Sequence, residues 1–255
     1  MTKKSRNIKS KVYPAVFIAS IVLFWQLLCV SEIVPPYMLP TPLDVVFALA
    51  SDFTLLLSHA GTTLTEAFLG LSLSVVFGVL TAALMDRFEF LYLAVYPVIV
   101  LTQTVPAIAI APLLVLWMGF GIAPKVVLIF ITCFFPISIS TLSGLRSVDP
   151  DIIDLMRSMG ASPFEILVRV KLKASLESFF AGLKLAGAYS IIGAVIAEWL
   201  GGSKGLGVYM TRVRKAYAFD KMFAAIILIS LVSLMLMKFI DIVHKKSMPW
   251  KGVNE

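Results

Sequence analysis

Residues 64–87 read LTEAFLGLSLSVVFGVLTAALMDR, a mostly apolar run closed by the charges of Asp86 and Arg87. A hydrocarbon layer of about 30 Å is crossed by roughly 20 residues of helix. The run is continuously apolar rather than alternating, so it predicts a transmembrane helix over about 64–85 and argues against a barrel strand. Working outward, similar runs recur at about 14–34, 90–118, 125–145, 176–197 and 222–243. With 59% hydrophobic and only 15% charged residues, the chain is far more apolar than the 45–50% of soluble domains. The expected fold class is therefore all-α, a polytopic membrane protein with about six transmembrane helices.

The first run follows a basic start, residues 1–13, and is too long for a signal-peptide core, so it reads as a retained helix ending at Pro35 and Pro36. Thr41, Pro42 and Asp44 then supply an N-cap, a proline at the first helical position and a capping-box acid. They predict a short helix along the outer membrane surface, with Val46, Phe47, Ala50 and Phe53 as its apolar side. The run at 90–118 contains Pro97, Pro106 and Pro112, so it is either one long kinked helix or two half-helices. Four parts result: a tail at 1–13, a first helix and amphipathic segment at 14–63, a core at 64–245 with a charged loop at 146–175, and a tail at 246–255.

The net charge of +7 comes from Lys and Arg gathered at the ends of apolar runs, which marks topology rather than nucleic-acid binding. With the N-terminus inside, fifteen such residues fall on the cytoplasmic side. Six fall outside: Lys125, Lys204, Arg212, Arg214, Lys215 and Lys221. Six crossings with both termini cytoplasmic satisfy this bias. Cys29 and Cys133 lie inside apolar runs and read as small buried side chains. Neither a metal cluster nor a cofactor motif is visible, and no G-x-x-x-x-G-K-[ST] loop exists to cradle a nucleotide. Any ATP use falls to a partner.

The loop at 146–175 is the most polar stretch of the core. Asp149 and Pro150 open a short helix, Gly160 closes it, and Ser162 and Pro163 open another that runs into Lys173. Asp154-Leu155-Met156, Gly160-Ala161 and Leu172 stand at the spacing of E-A-A-x-x-x-G-x(9)-I-x-L-P, and the segment resembles the signature loop of binding-protein-dependent ABC importer permeases. The sequence departs from that signature with Asp154 for Glu, Leu155-Met156 for Ala-Ala and Lys173 for Pro. The resemblance implies a type I transmembrane fold in the bacterial inner membrane and a coupling loop that docks on a separate ATP-binding cassette subunit. It also implies an extracytoplasmic substrate-binding protein and a permease homodimer in the lipid membrane. Within the family, the stretch from Ala197-Glu198-Trp199 through Gly205-Leu206-Gly207 is similar to the nitrate, sulfonate and taurine group. It is most similar to the branch assigned to hydroxymethylpyrimidine precursors of thiamine, so a pyrimidine ranks first as cargo and a sulfonate or nitrate-type anion second.

Polar groups in crossing helices often line a water-filled path. Gln103 and Thr104 beside Pro106, Ser138 after Pro136, and Tyr189 and Ser190 in the fifth run are the pathway candidates, Gln103 foremost. Hydroxyls bonding back to their own helix are the plainer alternative. Gly182, Ala186, Gly187 and Ala194 form a small-residue stripe suited to close helix packing, within the bundle or across a dimer axis. Glu198, Gly205 and Gly207 are outer-loop or gate candidates, with Glu198 easier to place as an interfacial anchor. His59 and His244 read as interfacial, and no nucleophile, base and orienter set suggests an enzyme. An ion-coupled secondary transporter is the competing class; Glu66 and Lys184 sit toward helix ends and offer it little.

Overall fold

The computed structural model describes residues 3–31, 34–35 and 38–249, with side chains from residue 12 onward. Pro36, the charged side chains of the first eleven residues and the tail beyond 249 lie outside the described residues. The described residues contain helices and no strand. In order these are α1 (Lys3–Val30), α2 (Pro42–Ser51), α3 (Phe53–Arg87), α4 (Glu89–Thr102), α5 (Ala107–Met118) and α6 (Ala123–Arg146). There follow α7 (Pro150–Ser158), α8 (Pro163–Ile166), a π-helical turn (Leu167–Lys171), α9 (Leu172–Leu200), α10 (Leu206–Lys215) and α11 (Phe219–Ser247).

Among the described residues, five helices are long and apolar enough to cross a membrane, and α4 with α5, bent by 99° at the break between them, bring the number to six where the bent pair is counted as one span. The predicted 90–118 run is thus two half-helices. Only Pro106 breaks it, because Pro97 and Pro112 lie inside α4 and α5. Three predicted boundaries change: α1 covers Lys3–Val30 rather than 14–34 and so stops short of Pro35, α3 begins eleven residues before Leu64, and the expected polar loop after residue 197 contains α10.

The chain divides into two compact units, Met1–Leu57 with Tyr209–Leu228, and Ser58–Val208 with Ile229–Glu255. In the first unit, α2 begins with the predicted capping box: Asp44 N–H donates to Thr41 Oγ1, and the Thr41 N–H donates to the Asp44 carboxylate. Val45 and Ala48 are buried with Ala224, whereas Val46, Phe47, Ala50 and Phe53 face outward. Trp25 packs against Phe223 and donates to Pro40 O at 3.0 Å. Asp52 accepts from Lys221 at 2.9 Å and from Tyr209 at 2.7 Å. The Lys221 hydrogen bond holds the Asp52 carboxyl below its usual range, while burial pushes the Tyr209 phenol up.

In the second unit, α6 is the central helix. Against it α9 runs antiparallel, with Gly144 over Ser175 and Ser178, Gly182 over Pro136 and Ser140, and Gly193 beside Thr132 and Ile129. A Cβ on Gly182 would collide with the Pro136 carbonyl. Ala186 and Ala194 are fully buried, and the Ala186 carbonyl accepts from Cys133 Sγ at 3.2 Å. On the neighbouring side of α9, Gly187 takes the Ile240 side chain of α11. Lipid is as apolar as leucine, so such helices associate by close van der Waals contact, and each glycine removes a side chain that would hold the backbones apart. The small-residue stripe is therefore occupied by packing within the subunit. α3 uses the same device, with Gly70 against Ile129 and Gly78 against Ile137.

Candidate functional site

Three features of the second unit carry the polar chemistry. The first is a cavity of about 260 Å³ beside the α4–α5 break, lined by Thr102, Gln103, Pro106 and Ile110 with Thr132 of α6 and Tyr189 of α9. Proline supplies no amide hydrogen at the break, and the chain turns there through Gln103–Pro106, so irregular backbone borders a cavity. Every lining group is uncharged. Of the pathway candidates, Gln103, Pro106 and Tyr189 line this cavity together. The other candidates do not: Thr104, in the turn, bonds back to Leu101 O at the end of α4, Ser190 is buried and bonds to Gly187 O, and Ser138 is buried beneath Gly78. Thr132, which sequence reasoning passed over, takes a place on the wall.

The second feature is a buried polar cluster where α3, α6 and α9 meet the start of α10. His59, Thr63, Glu66, Lys125 and Glu198 are each no more than 5% exposed. Lys125 Nζ donates to Glu66 Oε1 at 2.6 Å. The Thr63 hydroxyl donates to Glu198 Oε1 at 2.7 Å and accepts from Leu206 N–H at 2.9 Å. Gly205 N–H donates to His59 Nδ1 at 2.9 Å, and Gly207 N–H to Glu198 Oε2 at 2.6 Å. Three consecutive amides at the start of α10, which a helix leaves without internal partners, thus end on side chains from α3 and α9. Glycine is needed twice. Gly205 has φ +133° and a Cβ there would overlap the Glu198 carboxyl, while a Cβ on Gly207 would strike the Val195 carbonyl.

The cluster corrects three expectations. Glu198 is a buried capping group rather than an interfacial anchor, His59 is buried rather than interfacial, and Glu66 and Lys125 form a pair inside the bundle. The signal was present as His59, Thr63 and Glu66, spaced four and three apart on one face of an apolar helix. Lys184, also set aside, pairs with Asp241 across α9 and α11, and His244 stacks on Phe180.

The third feature is the loop. Asp149 caps α7 by accepting from Asp151 N–H, Gly160 takes φ +83°, and Ser162 with Glu165 forms a second capping box. The hydrogen bond from the Ser162 backbone amide holds the exposed Glu165 carboxyl below its usual range. Ile152 and Leu155 of α7 and Met159 at its C-cap are exposed to 47, 61 and 76%, whereas Met156 is half-buried. Asp154 pairs with Arg157 on the surface, and Leu172 packs behind the loop beside Met85 and Leu145.

Residues 74–248 match the family model described as binding-protein-dependent transport system inner membrane component. A probable ABC transporter permease protein of Haemophilus influenzae is 36% identical over 89% of this chain and 93% of its own length. The formylaminopyrimidine transport permease protein ThiX of Halalkalibacterium halodurans is 34% identical over 93% of this chain and 95% of its own. Among solved structures, the inward-facing MetNI methionine ABC transporter superposes with a TM-score of 0.68 at 18% identity, over 76% of this chain and 97% of that one. With its apolar spans, its broken helix and its glycine-turned loop, the chain belongs to the binding-protein-dependent ABC importer permeases of type I fold, multi-pass proteins of the inner membrane.

Proposed function

We propose that the chain forms the translocation pathway for a pyrimidine precursor of thiamine, handed over by an extracytoplasmic binding protein and driven by a separate ATP-binding cassette subunit. The uncharged wall of the α4–α5 cavity carries this reading. A sulfonate or nitrate ion passing Gln103, Thr132 and Tyr189 would meet no cation, and an uncompensated charge out of water is costly. A flat heterocycle with donors and acceptors on its edge suits a carboxamide, a hydroxyl and a tyrosine ring set in apolar walls. The ThiX relative, named for formylaminopyrimidine transport, adds support.

The test is uptake into proteoliposomes holding this chain with its ATPase and binding protein. Labelled hydroxymethylpyrimidine is expected to accumulate with ATP, and excess taurine is expected not to compete. Accumulation of taurine and not of the pyrimidine would give the cargo to the sulfonate class.

The exposed Ile152 and Leu155 of α7 and Met159 at its C-cap support a docking role for the loop, with Asp154, Met156, Gly160, Ala161 and Leu172 shaping it. Two copies of the chain would enclose the path, and since the Gly182 to Ala194 stripe is consumed inside the subunit, the dimer face lies elsewhere. The bias of fifteen Lys and Arg to six puts both termini and the loop in the cytoplasm. Single cysteines at Ser162 and Ser203, in a background without Cys29 and Cys133, are expected to react with an impermeant maleimide from opposite sides. Reaction of both from one side would reject this orientation.

A further inference from the structure

Both stems of the α7 loop are tied to one short stretch of chain, the junction of α3 and α4. On the entering stem, Arg146 donates to the Met85 carbonyl at 3.2 Å and to the Glu89 carboxylate at 3.2 Å, with its guanidinium 3.7 Å from the centre of the Tyr92 ring. On the leaving stem, Lys171 Nζ lies 2.8 Å from both carboxylate oxygens of Asp86. This second tie is the more buried, with side-chain exposures of 18% for Lys171 and 6% for Asp86. Lys171 closes the π-helical turn, a distortion that is rare and tends to occur where a helix serves a function.

Between α7 and the end of α3 lies a cavity of about 220 Å³, bordered by Asp86, Ile153, Ala161, Ile166 and Lys171. The inner side of the loop is therefore not fully packed on α3, and the ion pair bridges the gap. Beyond the junction, α4 runs unbroken from Glu89 to Thr102 and ends at the pathway cavity. Fourteen helical residues make a rigid rod about 21 Å long.

We propose that Asp86 and Lys171, seconded by Arg146, are positioning residues that carry displacement of α7 into α4 and so to the α4–α5 break at Gln103. The inference rests on the reading of α7 as the loop driven by the ATPase. A buried, two-point ion pair suits such a task because it has a defined register, whereas apolar contacts slide. Removing one partner leaves the other charge uncompensated, and the stem loses its hold on α3.

The experiment uses the full permease assembled with its ATPase, Gln103→Cys as reporter, and a background of Cys29→Ser and Cys133→Ala. The rate of reaction with a maleimide is compared in nucleotide-free and ATP-vanadate-trapped complexes. In the parent the two rates are expected to differ by about 5-fold or more, the lower end of ordinary coupling between sites. In Asp86→Asn and in Lys171→Met the difference is expected to shrink to less than about 2-fold, and the exchanged pair Asp86→Lys with Lys171→Asp is expected to regain most of it. A parent without a nucleotide-dependent difference would overturn the ATP-driven reading and the strut together. Single variants that respond like a responsive parent would overturn the strut alone. Single variants that lose the response without recovery in the exchanged pair would make the residues merely structural, which also overturns it. Should a single variant fail to co-purify with the ATPase, the exchanged pair decides: assembly with a restored response supports the strut, and anything less rejects it.

Discussion

Leu155→Asp is expected to abolish uptake while membrane insertion stays normal. Leu155 is 61% exposed on α7 and Met159, one turn on, is 76% exposed, so the helix presents large apolar side chains that the described residues leave largely uncovered. In an interface such anchors carry most of the binding energy, about 2 kcal/mol or more each, so an aspartate there should weaken docking by about 30-fold or more. Met159→Asp is expected to act in the same way. Met156→Asp is the weaker choice, because Met156 is half-buried and its substitution disturbs the loop as well as its surface. Gly160→Val attacks the turn. At φ +83° a side chain costs roughly 1 to 2 kcal/mol of backbone strain, and since nothing lies within 4 Å of a Cβ built there, the cost is conformational alone. The measurement pairs membrane content, by blotting, with ATP-dependent uptake and ATPase co-purification. Parental uptake by Leu155→Asp would remove α7 from the coupling role.

The spans and the loop were legible in the sequence because each depends on local rules. Apolar length marks a crossing, Asp86 and Arg87 mark its end, and Pro150, Gly160 and Pro163 punctuate the loop with backbone restrictions that hold in any context. Pro106 was harder to judge, since Pro97 and Pro112 have the same local effect yet sit inside helices. Neighbouring helices can absorb a missing amide bond, and only tertiary structure decides where they do so. α10 was missed because its residues, Leu206 to Lys215, are too polar to resemble a crossing, and its first amides are satisfied from other helices instead of by a cap of its own. The Thr63–Glu198 bond joins positions 135 apart, a pairing that no local pattern encodes. Ser138 and Ser190 were placed on the pathway for their chemistry, but the helix face on which a hydroxyl falls depends on packing between α6 and its neighbours.

Glu198→Ala should be the most damaging single change outside the loop, and its effect should appear first in stability. The carboxylate accepts from Thr63 and from Gly207 N–H, and Thr63 in turn accepts from Leu206 N–H, so removing it unsettles the start of α10 from two directions. Each buried donor left without a partner costs about 1 to 3 kcal/mol, and at 2% exposure the carboxylate is shielded from bulk solvent. A negative group at a helix N-terminus is also favoured by the helix dipole, which alanine forfeits. Glu198→Gln keeps an acceptor oxygen and nearly the same volume, so it should fall between parent and alanine. Thermal unfolding of the purified chain in detergent, with uptake measured alongside, provides the comparison. The expected order of melting temperature and of transport is parent, then Gln, then Ala. A helix start held by His59 and Thr63 alone would instead give Glu198→Ala the parental melting temperature, and the carboxylate would then have no part in fixing the Gly205–Gly207 turn.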